Sequence, residues 1–483
     1  MSRLILELNH WTTWSTLYLL GEWLIRIAML LWIPNRRSPE AAKGWLLLIF
    51  FLPSLGLLLY WLIGRPNMPF SRRSRSEQFH HRLASVGQRL RNSPNLTHPD
   101  VGPDLNTAVQ LAANTGRLPI LGGNTLELLG EYGPSIQRLA DDIDAARHHV
   151  HLLYYIFAAD AVTAPIIDAL KRAAERGVQC RVLVDALGSK KMLPSLRKAL
   201  VGSRVELFEM LKTGLWNQFL RRGDLRNHRK IAVIDGRVAY TGSQNLISPT
   251  FKAGITYEEL VVRASGPIAL EFQSVFASDW HLETEEFLDT PEIFPEPITA
   301  GDKPAQVLPS GPTFSSQSTQ RLVVLLIHNA RQRIVVTTPY FIPDESLQHA
   351  LQTAALRGVE VHLVVSEVED QFLVGQAQKS YYEELLETGV KIHLFQGEFL
   401  HAKHLSIDDQ VCLIGSSNMD IRSFVLNAEI SLLIYDRQLT GELIQVQERY
   451  FARSRMLDLA EWRRRSYLQQ LSQNVCRLLS PLL

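Results

Sequence analysis

An eight-residue pattern that occurs twice constrains this chain more than any other feature. His228-Arg-Lys230-Ile-Ala-Val-Ile-Asp235 returns as His401-Ala-Lys403-His-Leu-Ser-Ile-Asp408. In both copies a Gly-Ser-x-Asn follows at the same distance: Gly242, Ser243 and Asn245, then Gly415, Ser416 and Asn418. One His-x-Lys with a later Asp arises by accident, whereas two copies with matching downstream spacing imply a duplicated unit. The repetition extends upstream. Ala169 to Val178 resembles Ala350 to Val359, each reading as a helix that ends at a C-cap glycine (Gly177, Gly358) and runs into a buried strand. Apolar runs from Val150 to Phe157 and from Ile334 to Phe341 precede those helices. Strand, helix, strand, twice over, predicts an α/β fold of two pseudo-symmetric halves with a parallel or mixed sheet.

The motif residues suit phosphodiester chemistry. Each motif lies on an apolar run that reads as a strand, so His228 and Lys230 share one face, as do His401 and Lys403. Imidazole titrates near neutrality and serves as nucleophile, base or acid. The neighbouring ammonium supplies positive charge for phosphate oxygens. Ser243, Asn245, Ser416 and Asn418 add a hydroxyl and an amide per copy for anionic oxygens, and the glycine before them lets backbone approach a ligand closely. Asp235 and Asp408 complete the motif, but their odd spacing from the histidines directs them away, into the turn. Two copies facing one another meet both demands of phosphodiester exchange: one His attacks phosphorus, and the other protonates the departing oxygen and then takes the proton of the incoming hydroxyl. Carboxylates that orient the rings must come from elsewhere. Glu259, with Glu258 as a competing choice, opens a strand after the first motif, and Glu429 stands at a similar interval after the second. No metal or other cofactor is implied, because no His/Cys/carboxylate set has convincing ligand spacing.

The amino-terminal region reads as membrane chemistry. Leu17 to Ile33 and Trp45 to Ile63 are apolar stretches near spanning length, with Trp11, Trp14, Trp32, Trp45 and Trp61 clustered near their ends. Glu22 and Arg26 lie four apart in the first stretch, a spacing that allows pairing on one helix face. Basic residues both flank the hairpin (Arg3, Arg65, Arg72, Arg73, Arg75) and occupy its loop (Arg36, Arg37, Lys43); their bias favours a cytoplasmic catalytic region. Net charge is +1, and no nucleic-acid-binding basic domain is evident. Cys180, Cys412 and Cys476 form no disulfide framework, in keeping with a reducing compartment. Leu211 to Arg226 and the carboxy-terminal stretch after Trp462 are amphipathic. Each reads equally well as a bilayer-resting helix or as a core-facing helix with a basic edge.

The paired motifs, with Leu225-Arg-Asn-His-Arg-Lys-Ile, Tyr240-Thr-Gly-Ser-Gln-Asn, Thr338-Pro-Tyr-Phe-Ile-Pro343 and Asn418-Met-Asp-Ile-Arg-Ser423, resemble the phospholipase D superfamily and, within it, the bacterial cardiolipin synthase family. The resemblance covers essentially the whole chain. It implies two phospholipase D-type α/β/α halves with mixed sheets, preceded by an N-terminal pair of transmembrane helices. The implied domains are a membrane anchor over 1–70, a linker over 71–105, a first half over 106–290, a proline-rich connection over 291–312, and a second half over 313–483 that ends in an amphipathic helix. The implied activity is metal-independent transphosphatidylation, in which two phosphatidylglycerol molecules yield cardiolipin and glycerol through a phosphohistidine, with His228 as nucleophile and His401 as acid/base. It further implies a bacterial inner-membrane location, anionic membrane lipids as partners, and no nucleic acid. Oligomeric state is not encoded in these motifs, a homodimer being one arrangement compatible with them. The nearest rival is a related hydrolase, or a transferase using another alcohol.

Overall fold

The computed structural model describes residues 2–37, 39–64, 74–79, 84–115, 118–212, 225–311, 318–478 and 480. They form two compact units, each considered by itself: the amino-terminal hairpin, and the body from Ser74 onward. In the hairpin a helix runs from Ser2 to Trp32, and its portion Trp14–Trp32 is long and apolar enough to cross a bilayer. Glu22 pairs with Arg26 at 3.4 Å, and Arg26 Nε also donates to the Phe50 carbonyl at 3.0 Å. The second apolar stretch departs from the expectation of a spanning helix. It is divided into helices Pro39–Phe51 and Pro53–Leu59, followed by a wider turn over Tyr60–Gly64. Pro53 is the cause: it lacks an N–H, and it excludes the residue before it from helical geometry. Leu52 accordingly sits at φ −132°, ψ 72°. Among the described residues, one helix rather than a pair therefore has spanning length.

The body is built on one continuous fifteen-stranded sheet. The first half supplies β1 (Leu121–Leu129), β2 (His149–Tyr154), β3 (Gln179–Asp185), β4 (Glu206–Met210), β5 (Ile231–Ile234), β6 (Val238–Gly242) and the short β7 (Tyr257–Glu258), then β8 (Val261–Ser265). The second supplies β9 (Lys303–Pro309), β10 (Arg333–Thr337), β11 (Phe341–Ile342), β12 (Glu360–Ser366), β13 (Lys391–Phe395), β14 (Phe399–Leu400), β15 (His404–Ile407), β16 (Val411–Gly415), β17 (Met419–Asp420), β18 (Ile430–Ile434) and β19 (Ser454–Met456). The order is β19-β13-β12-β10-β15-β16-β18-β9-β1-β8-β6-β5-β2-β3-β4. Read outward from the central antiparallel β9/β1 pair, both halves repeat one path: three antiparallel neighbours, an antiparallel motif strand against β2 or β10, then two parallel strands. Alternation along the strands divides the core. Ile231 and Val233 face a shared layer under helices Ile268–Thr284 and Arg437–Ala452, while Ala232 and Ile234 face the first half's outer helices. Gly177 and Gly358 end their helices as the sequence predicts. At φ +89° and +86° they close matched Schellman turns, with Val178 N bonded to Ala173 O and Val359 N to Ala354 O.

Two segments that read as connections are structured. Within the expected linker, Phe79, Val86 and Leu90 are buried in the shared core, and Arg75 donates to the Leu282 carbonyl at 3.1 Å. The proline-rich connection ends in β9, whose prolines sit at its termini where the ladder tolerates a missing N–H. At the carboxy terminus, helix Tyr467–Arg477 turns Gln473 and Cys476 inward and leaves Leu468 75% and Leu478 79% exposed. Arg463 and Arg465 are held by Glu383 and Glu387. The amphipathic reading of Leu211 to Arg226 rests on 213–224, which lie outside the described residues, as do Arg65, Arg72, Arg73, Pro312, Leu479 and 481–483.

Because β1 and β9 pair at the centre, residues 74–300 and 301–483 expressed apart would each expose an unpaired edge. Each fragment is expected to be insoluble alone and to regain native circular dichroism on co-expression.

Candidate active site

Each histidine is seated on the opposite half. The segment ahead of the first motif runs parallel to residues 427–429: Ala428 N donates to Arg226 O at 2.9 Å, and His228 N to Ala428 O at 2.8 Å. The second motif repeats this against the first half. There β14 pairs with β7 in parallel, and His401 N donates to Glu258 O at 2.8 Å. The carboxylates therefore cross over. His228 Nδ1 lies 3.0 Å from both oxygens of Glu429, and His401 Nδ1 lies 2.8 Å from Glu259 Oε1. The sequence intervals leave open which glutamate serves which ring, and the ladder between halves decides for the crossed pairing. Glu258, the competing choice, uses its carbonyl on His401 N and turns its carboxylate to Arg453.

The remaining motif residues fall into three sets. Lys230 and Lys403 are buried beside the rings, each donating to the carbonyl of its own histidine at 2.7 and 2.6 Å. Ser243 and Ser416 are fully buried and brace the strands that carry the carboxylates. Ser243 Oγ accepts from Leu260 N at 3.0 Å, while Ser416 Oγ accepts from Ile430 N at 3.0 Å and donates to Glu429 Oε2 at 2.5 Å. Asn245 and Asn418 line the cleft. Asp235 and Asp408 lie at the far ends of their strands and reach neither ring. Each carboxylate accepts three successive backbone amides, Arg147, His148 and His149 or Arg331, Gln332 and Arg333, at 2.6–2.9 Å. Gly242 and Gly415 serve a neighbouring strand rather than a ligand, because a Cβ at either would meet the Leu260 or Ile430 carbonyl at 2.3 Å.

Electrostatics prepares the rings. An ionised carboxylate only accepts, so each Nδ1 carries the proton and Nε2 keeps its lone pair. Burial pushes His228 down to about 4 against the pull of Glu429, and burial also lowers His401. Burial pushes Lys230 down to about 7 and Lys403 to about 8. For Glu259 and Glu429 burial pushes upward, but the paired histidine and the nearby lysine outweigh it and hold both below the usual carboxylate range.

Both histidines line one cleft of about 600 Å³, with Asn245, Asn418 and Glu259. Sequence reasoning missed several of its parts. Tyr155 meets His228 edge-on at 4.9 Å, and Tyr257 meets His401 edge-on at 5.5 Å. Arg229, between the motif His and Lys, is fully buried. It pairs with Asp279 and donates to the carbonyls of Glu429 at 3.0 Å and Ser310 at 2.7 Å. Asn227 Nδ2 joins Asp279 at 3.0 Å. The second half has Ala402 and Leu400 at the matching positions, so only the His228 side carries this brace. Its one sequence signal was an arginine at an inward strand position.

A family model described as "Cardiolipin synthase, PLD-like domain" matches residues 139–280 and 323–454, and one described as "Phospholipase_D-nuclease N-terminal" matches 24–65. The chain is 35% identical to a cardiolipin synthase A from Serratia proteamaculans over 485 residues, covering 98% of this chain and 100% of that one. It is 34% identical to a cardiolipin synthase A from Yersinia pseudotuberculosis over 489 residues, with the same coverage. Among solved structures, a phosphatidylserine synthase from Haemophilus influenzae superposes with a TM-score of 0.60 at 16% identity. That match covers 77% of this chain and 97% of the other, and it supports the fold.

Two predictions follow the geometry. Asp235→Ala strands three amides and is expected to cost about 3 kcal/mol, read as a lowered denaturation midpoint. Glu429→Gln is expected to lower the His228 titration further and leave His401 nearly unmoved, whereas Glu259→Gln does the reverse. Ring nitrogen shifts of labelled histidines report both, and a swap of the responses would refute the crossed pairing.

Proposed function

This chain belongs to the cardiolipin synthase family of the phospholipase D superfamily and acts as a phosphatidyltransferase, and on that premise we propose a route through a phosphohistidine on His228. One observation carries the proposal: two imidazoles line a single cleft, each with Nδ1 held by a carboxylate of the other half. In the first step His228 Nε2 attacks the phosphorus of one phosphatidylglycerol. The bond to the glycerol oxygen breaks, and His401, which enters this step as an imidazolium beside Glu259, gives its Nε2 proton to that oxygen, releasing glycerol. In the second step the glycerol hydroxyl of another phosphatidylglycerol gives its proton back to His401 and attacks phosphorus. The phosphorus–nitrogen bond breaks with its electron pair on His228, and cardiolipin leaves. Lys230, Lys403, Asn245 and Asn418 stabilise charge on the equatorial oxygens. Ser243 and Ser416 act by fixing Glu259 and Glu429.

One feature supports His228 as nucleophile: Arg229 braces the backbone of its partner Glu429 at the carbonyl, a contact with no counterpart beside His401. Burial keeps His228 neutral at pH 7, its pKa being pushed down to about 4. We place the chain in the bacterial inner membrane with its catalytic body in the cytoplasm, as the basic residues around the hairpin favour. The helix through Trp32 spans, and the proline-broken second stretch returns within the bilayer. The exposed leucines of helix Tyr467–Arg477 suit contact with anionic phospholipid.

The full chain in phosphatidylglycerol vesicles is expected to release cardiolipin and glycerol; phosphatidic acid as main product would sink the transferase route. His228→Ala and His401→Ala are each expected to lower turnover at least about a thousandfold with melting unchanged. After an alkaline quench, labelled phosphate is expected on His228, and label on His401 would reverse the roles.

A further inference from the structure

The two ends of the cleft differ in chemistry although the halves are pseudo-symmetric. Around His228 stand Tyr155 and the guanidinium groups of Arg226 and Arg422. Around His401 stands a cluster of oxygens. The Tyr340 hydroxyl donates to the Asp370 carboxylate at 2.7 and 2.8 Å, and the Tyr257 hydroxyl donates to the same carboxylate at 3.2 Å. Gln371 Nε2 donates to the Tyr340 oxygen at 3.0 Å. Lys252 donates to the Asp370 carbonyl, and its Nζ lies 3.7 Å from Asp370 Oδ2. All of these line the cleft. The equal spacing from His149 and Arg333, each the carbonyl partner of a motif Asp amide, aligns Tyr340 with Ile156. The spacing from the ring-orienting glutamates, two residues before Glu259 and Glu429, aligns Tyr257 with Asn427. The oxygen cluster therefore has no twin at the other end, and the repeat alone does not explain it.

With both phenol protons committed to Asp370, the carboxylate and the phenol oxygens present lone pairs to a ligand, and the N–H donors beside them are Gln371 and Lys252. Those oxygens receive hydroxyl donors, and the ammonium at their edge receives an anionic oxygen. The cluster abuts His401, the side from which an alcohol must enter and leave if that histidine handles the alcohol proton. We propose that Asp370, Tyr340 and Tyr257 bind the glycerol moiety of the acceptor alcohol, and, by microscopic reversibility, of the departing glycerol. We further propose that Lys252, with 39% of its side chain exposed, binds the acceptor's own phosphodiester. This rests on the transferase route above and names its acceptor subsite. A hydroxyl held there loses its proton to His401 as its oxygen bonds phosphorus, and the phosphorus–nitrogen bond to His228 breaks with the pair on nitrogen. No further reactant is needed. Selection of a lipid alcohol over water then comes from contacts that water cannot make.

Product partition tests this without depending on how much enzyme folds. The full chain is assayed in phosphatidylglycerol vesicles with labelled glycerol, scoring cardiolipin, phosphatidic acid and label exchanged into phosphatidylglycerol. Asp370→Asn and the conservative Tyr340→Phe are each expected to raise the phosphatidic acid to cardiolipin ratio about tenfold, through loss of acceptor hydrogen bonds. Lys252→Met is expected to lower the ratio of cardiolipin to glycerol exchange about tenfold, and Lys252→Arg to restore it. Partition within twofold of wild type in both Asp370→Asn and Tyr340→Phe overturns the glycerol subsite. An unchanged ratio in Lys252→Met overturns the phosphate contact. Failure of the transferase route itself shows separately, as wild-type protein that makes no cardiolipin.

Discussion

The backbone ladder that lays each histidine against the opposite half is the interaction on which the rest of the molecule depends. His228 N bonds the carbonyl just before Glu429, and His401 N bonds the carbonyl just before Glu259. One short parallel pairing therefore positions both members of a His–Glu pair at once. Neither half holds a complete orienting pair, so the site exists only when the two halves share one sheet. The central β1/β9 pairing and the core common to both halves secure that condition. A flexible link between separate domains would let the two rings drift. A continuous sheet holds them to the sub-ångström placement that in-line chemistry needs.

Burial sets the chemistry of the site and requires compensation. Two histidines, two lysines and two glutamates leave water together, and each cation loses proton affinity as a result. The arrangement holds because the charges alternate: carboxylates sit behind the imidazoles, and ammonium groups stay within reach of both. A bound phosphodiester adds negative charge where the lysines are least solvated, which favours their charged form when substrate is present. The motif aspartates stand apart from this. At positive φ, with three amides each, they anchor the strand ends that aim the histidines.

Pseudo-symmetry is a property of the scaffold more than of the site. The strand path, Schellman turns, serines and aspartates repeat, whereas the Arg229–Asp279 brace is confined to the His228 side and the Asp370 oxygen cluster to the His401 side. A reaction with unlike roles for its two histidines gains from that difference. On the proposed route one ring stays fixed and neutral, and the other meets an alcohol. The helix Tyr467–Arg477 shows a parallel division of labour: its arginine-bearing approach is tied to acidic side chains of the body, and its leucines face outward.

The doubled motif, the α/β alternation, the C-cap glycines and the two glutamates were all legible in the chain, because each rests on local spacing or on a side chain's own chemistry. Strand parity likewise pointed Asp235 and Asp408 away from the rings, where each accepts three backbone amides. The crossing of the carboxylates was not legible, since the similar His-to-Glu intervals fit pairing within a half and between halves alike, and the choice lies in hydrogen bonds between segments 201 and 142 residues apart. The brace at Arg229 and the cluster at Asp370 were hidden for the same reason, as their partners Asp279, Tyr257 and Tyr340 are distant in sequence. Pro53 was visible, yet an apolar count passes over it, and only the folded chain registers the helix it interrupts. Local covalent and steric rules act through neighbours and can be read along the chain, whereas the site's orientation is a long-range property that arises once fifteen strands find one order.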